Sequence, residues 1–132
     1  MPYLLYVLVK FACYTAWVWL GLRLLRPGSA TPLRAASLGV LRLAIGVIFG
    51  VGIFIFVRVE PYDLLWKYIA IYTPVRMLEW FIVALIISRK SANKAPFAAL
   101  LWCLGGIAVS FAADLASAEG LRGHFCVGRC LC

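Results

Sequence analysis

Four stretches of this sequence stay apolar for about twenty residues each, the length an α-helix needs to cross the hydrocarbon core of a bilayer. They cover residues 3–25, 38–57, 64–87 and 96–116. In hydrocarbon an irregular chain would leave backbone groups unpaired at several kcal/mol each, so helices are the expected state. The alternation at period two that barrel strands require is absent from these runs. Polar, proline- or glycine-bearing punctuation separates them: Arg26-Pro27-Gly28-Ser29, then Glu60-Pro61-Tyr62-Asp63, then Ser91-Ala92-Asn93-Lys94. Connections this short make successive helices antiparallel neighbours. The expected fold is therefore an all-α membrane protein, an antiparallel four-helix transmembrane bundle over 1–116 followed by a short cysteine-rich tail over 117–132.

Composition removes the alternatives. Of the 132 residues, 65% are hydrophobic and 14% charged, against about 45–50% and 25% in a soluble domain. A nucleic-acid reading of the net charge of +8 would need a soluble basic surface, so no nucleic-acid partner is expected. The first run lacks the basic leader and clean small-residue cleavage site of a signal peptide and reads as a retained helix.

The basic residues give a direction instead. Arg23, Arg26, Arg34, Arg42, Arg89, Lys90 and Lys94 lie beside the first and third connections, with no acid among them. On the opposite side Arg58, Lys67, Arg122 and Arg129 are balanced by Glu60, Asp63, Asp114 and Glu119. The positive-inside pattern predicts a protein of the cell (inner) membrane with both termini outside, and anionic headgroups are a sufficient partner for the excess charge.

The third run carries a polar stripe. At 100° per residue, Tyr68, Tyr72, Arg76 and Glu79 fall within an arc of about 80°, while Ala70, Met77, Leu78, Phe81 and Leu85 occupy the other side. Entering at Leu64, Arg76 lies about 18 Å deep, near the midplane, where a lone charge is expensive. Spacing of three allows Arg76 and Glu79 to bridge directly. Pro74 removes a backbone donor and predicts a kink beside them. Lys10 and Asp114, near the outer ends of the first and last runs, are placed to join this group by a contact that clips the two helices together. One reading is a structural ion pair whose remaining needs are met by tyrosine hydroxyls. The other is a ligand site in which Arg76 anchors an anion and Tyr68 and Tyr72 line the route to it.

Gly39, Gly46 and Gly50 form a small-residue ridge on the second run, either for packing inside the bundle or as a homodimer face. Ala12 and Ala16, and Gly105-Gly106, are its candidate partners.

Among the five cysteines, Cys13 and Cys103 lie within runs and read as small buried hydrophobes. Cys126, Cys130 and Cys132 sit in the tail, where one disulfide and one leftover thiol are expected in an oxidising space. His124 with these three cysteines also has the count of a metal set, though H-x-C-x3-C-x-C matches no standard zinc module. His124 is the sole histidine, which removes bis-histidine haem ligation within one chain and histidine-based nucleophilic machinery at membrane depth. No phosphate loop or paired-carboxylate site is present, so neither a cofactor nor an enzymatic activity is expected. Two function classes remain. The first is a non-enzymatic accessory or assembly subunit docking on itself or on a larger membrane complex. The second is an oligomeric transporter or binding protein for a small anionic or amphipathic solute or lipid.

Overall fold

A computed structural model of the chain describes residues 2–56, 65–89 and 96–115. They form four α-helices: α1 (Pro2–Leu25), α2 (Pro32–Phe56), α3 (Leu65–Ser88) and α4 (Pro96–Leu115). Each is long and apolar enough to cross a membrane. The tail residues His124, Cys126, Cys130 and Cys132 lie outside the described residues.

Three of the helices open on proline, whose fixed φ suits the first helical turn and whose missing N–H would be unpaired there in any case. Before α2, the Thr31 hydroxyl accepts a hydrogen bond from the Arg34 amide at 3.3 Å, capping the helix. This cap starts α2 at Pro32, six residues ahead of the apolar run beginning at Leu38. The run marks what hydrocarbon accepts, whereas the cap and the proline mark where the helix starts. After α1, the Arg26 amide closes a last bond to the Leu22 carbonyl at 3.0 Å. Gly28, at φ +89°, then turns the chain in a conformation that side chains resist. α3 runs through Pro74 as one helix, and beside it the Thr73 hydroxyl donates to the Ile69 carbonyl at 2.7 Å.

α1 packs against α2 and α4, α3 packs against α4 and α2, and α1 also reaches α3. The main core takes Tyr14, Val18, Leu22 and Leu25 from α1, spaced three or four apart on one face. Opposite them stand Ala35 and Leu38 of α2, Trp80, Val83 and Ile87 of α3, and Trp102, Cys103 and Ile107 of α4. Ile53 and Tyr68 form a smaller cluster of their own.

Glycines set the closest approaches, and indole rings fill most of them. A Cβ on Gly105 would strike the Trp17 ring, one on Gly21 the Trp102 ring, and one on Gly106 would lie 2.5 Å from Trp80. Gly105 and Gly106 therefore receive tryptophans from α1 and α3, rather than the glycine ridge of α2 expected from the sequence. Gly39 of that ridge meets Thr15 of α1, whose Oγ1 lies 2.5 Å from an added Cβ. Gly50 is buried, and Gly46 faces the charged groups described next.

The surface inverts the usual arrangement. Leu33, Ile48, Phe54, Phe56 and Leu101 are exposed, while Arg42, Arg76, Glu79 and Asp114 are buried. Such a distribution suits an apolar surrounding.

Candidate functional site

All four helices contribute to a charged interior. The polar stripe of α3 turns inward as its spacing predicts: Tyr68, Arg76 and Glu79 are buried and Tyr72 half-buried. Ala70, Leu78, Phe81 and Leu85 are exposed, whereas Met77 packs against the core.

Asp114 of α4 is the centre of one node. Its Oδ1 accepts from the Tyr6 hydroxyl at 2.8 Å and stands 2.7 Å from Lys10 Nζ, so α1 is held twice. Its Oδ2 accepts from the Tyr68 hydroxyl and pairs with Arg76 Nη2, both on α3. The same Arg76 nitrogen donates to the Tyr68 hydroxyl at 3.0 Å. Four donors on two oxygens satisfy the carboxylate fully. The guanidinium also lies over the Phe111 ring, 4.2 Å from its centroid, an apolar contact that a delocalised cation tolerates.

Glu79 of α3 is the centre of the second node, and its partner is Arg42 of α2 at 2.5 Å. Two expectations are corrected here. Arg76 and Glu79 share a helix face but not a bond, because each finds a partner on another helix: Asp114 for Arg76, Arg42 for Glu79. Arg42, grouped by sequence with the charges beside the first connection, is instead 2% exposed and inside the bundle. The missed signal was the distance of Arg42 from Pro32: ten residues, or about 15 Å of helix.

Arg42 is built into its place. Its guanidinium lies against both the Tyr14 and Trp80 rings, 4.8 and 5.0 Å from their centroids. A Cβ on Gly46 would come 3.1 Å from Arg42 Nη1, so glycine leaves the room that the arginine uses. Arg42 Nη2 donates to the Ser110 hydroxyl at 3.4 Å, and Trp80 Nε1 donates to the same oxygen at 2.9 Å. Ser110 thereby joins α4 to both α2 and α3. Trp80 stands edge-on to Tyr14 and Trp102, at 5.6 and 5.2 Å.

The buried charges do not cancel. Lys10, Arg42 and Arg76 face Glu79 and Asp114, leaving one formal positive charge among the described interior groups. Arg76 Nη1 and Arg42 Nε have no hydrogen-bond partner among the described residues. Cys13 and Cys103 are free thiols, half-buried and buried. Among the described residues, no three His, Cys, Asp or Glu side chains stand together as a metal site would require.

Comparison with protein-family models, with curated proteins and with solved structures found no match to this chain.

Proposed function

We propose that the protein is a small integral membrane subunit without catalytic activity, which docks on a second copy or on a larger membrane complex. The observation that carries this reading is that each interior carboxylate is taken up by cations from other helices. Asp114 holds α1 and α3 to α4, and Glu79 holds α2 to α3. Charges so used act as a clasp that selects one arrangement of four apolar helices, a task that hydrophobicity alone cannot perform in lipid.

The helices lie antiparallel in this reading. Along α2 the contacts to α3 run from Arg42–Glu79 to Ile53–Tyr68, advancing on one helix while receding on the other. Between α1 and α4, Trp17–Trp102 and Lys10–Asp114 follow the same rule. With Arg42 inside, Arg23, Arg26, Arg34 and Arg89 remain beside the first and third connections, Lys90 and Lys94 lying outside the described residues, and this bias supports both termini outside the cell membrane.

Native electrophoresis of membranes solubilised in a mild detergent tests the subunit reading. A discrete species larger than the 14.6 kDa chain with its bound detergent is expected; a monomer at every gentle condition contradicts it.

One observation favours a second reading. The surplus positive charge and the unpartnered Arg76 Nη1 suit a small anionic or amphipathic solute held beside Tyr68 and Tyr72 in an oligomeric transporter. A ligand that raises the unfolding temperature of wild type but not of Arg76→Met would establish it.

A further inference from the structure

Outside the core, α1 and the start of α2 flank a largely apolar groove of about 320 Å³, lined by Phe11, Ala12, Thr15, Ala16 and Trp19 of α1 and by Pro32 and Ala35 of α2. That volume lies within the range of sites for small molecules, roughly 300–1,000 Å³. Its walls offer almost nothing to hydrogen-bond. Ala12 and Ala16 are exposed and leave the recess open to the side where the bundle presents its large apolar residues. One end of the groove is charged. The Arg23 guanidinium lies over the Trp19 ring, 4.1 Å from its centroid, and so over a groove wall. Arg26 stands in the turn between α1 and α2, and Arg34, two residues or about 200° of helix from Pro32, lies on another face of α2. Among the described residues, no ion pair takes up Arg23.

We infer that this groove binds an anionic phospholipid, with one acyl chain lying against Ala12 and Ala16 and the phosphate held by Arg23 at the mouth. An acyl chain matches a recess that is apolar, elongated along α1 and open to hydrocarbon. A phosphate diester matches a guanidinium fork, which binds its oxygens in pairs. A headgroup of net negative charge supplies the counter-charge that Arg23 lacks among the described residues, and a zwitterionic headgroup does not. The stack on Trp19 holds the Arg23 fork above the groove before the lipid arrives. The inference rests on the protein residing in a bilayer but on no choice between the subunit and transporter readings.

The test places the protein in nanodiscs containing equal parts of phosphatidylglycerol and phosphatidylcholine with identical chains. After gentle detergent extraction, native mass spectrometry counts the lipids each molecule retains. Wild type is expected to retain phosphatidylglycerol several-fold over phosphatidylcholine. Ala16→Phe, which fills the groove from an exposed position, and Arg23→Gln should each bring the two to parity, and Arg23→Lys should keep part of the preference. Ala12→Leu serves as a second filling variant if Ala16→Phe fails to insert. Equal retention by wild type overturns the inference, as does a preference that survives both groove filling and loss of Arg23. If filling the groove instead turns a dimer into a monomer with no change in lipid ratio, a second copy occupies it and the inference fails. Failure of wild type to enter nanodiscs would count against membrane residence itself, a separate result.

Discussion

Trp17 and Trp102 each donate the indole N–H to the other's main-chain carbonyl, both at 3.1 Å. Each ring lies over a glycine one turn along the opposite helix, Trp17 over Gly105 and Trp102 over Gly21. The exchange fixes the register of α1 on α4, because sliding either helix would put a ring against a side chain. Gly105→Ala is therefore expected to destabilise the protein by about 1–3 kcal/mol through overpacking. Trp17→Phe should cost less, about 0.5–1.5 kcal/mol for the lost bond. Unfolding titrations followed by tryptophan fluorescence check the order; equal stability of Gly105→Ala and wild type would refute the packing.

Two glycines of α2 separate packing from propensity. Gly39→Ala would place Cβ 2.5 Å from Thr15 Oγ1 and 3.3 Å from the Thr15 backbone, so the Thr15 side chain must turn and the helices shift by a few tenths of an ångström, and stability is expected to fall. Gly52→Ala meets nothing within 4 Å and should leave stability unchanged or raise it by up to about 1 kcal/mol. Thermal unfolding of the two variants in one detergent reads the contrast.

Much of this was legible in the residues themselves. Helix number and the inward turn of the α3 stripe followed from apolar length and from the 100° spacing of Tyr68, Tyr72, Arg76 and Glu79. The placing of Lys10 and Asp114 near corresponding ends of α1 and α4 likewise pointed to the contact seen at 2.7 Å. The other pairings between helices were not legible. Spacing along one helix joins Arg76 to Glu79, and only the packing of α2 and α4 reveals that better-placed partners stand opposite. Arg42 was misplaced for a related reason: a charge near a loop in sequence counts as peripheral until the helix is known to begin ten residues earlier. The tryptophans stayed silent too, since nothing in a list of aromatics says which glycine each ring will cover.

Ser110 serves two donors at once, and Trp80 has no exposed surface. Ser110→Ala removes the acceptor and strands a buried indole N–H, at a cost of about 1–3 kcal/mol. The companion Trp80→Phe in the Ser110→Ala background should add less than it does alone, because the stranded donor is gone. A double-mutant cycle measured by unfolding in detergent gives the coupling; strict additivity would mean the bond contributes nothing.

The Asp114 node orders its own variants. Asp114→Asn keeps the shape but leaves Lys10 and Arg76 without their counter-charge, and a loss of about 3–5 kcal/mol is expected. Among the cations, Arg76→Gln should cost more than Lys10→Gln, since the Lys10 side chain is 18% exposed and that of Arg76 6%. Water at the more open position replaces part of what is lost. Melting temperatures of the three variants settle the order, and a Lys10 effect equal to or above that of Arg76 would contradict it.

The most direct measurement is unfolding free energy in detergent for wild type, Arg42→Met, Glu79→Leu and the double variant. If the pair is a structural clasp, each single change strands a buried charge and costs about 3–5 kcal/mol, while the double returns to within about 1 kcal/mol of wild type. A double variant that loses the sum of the two single effects would show that Arg42 and Glu79 act separately, and the clasp would not exist.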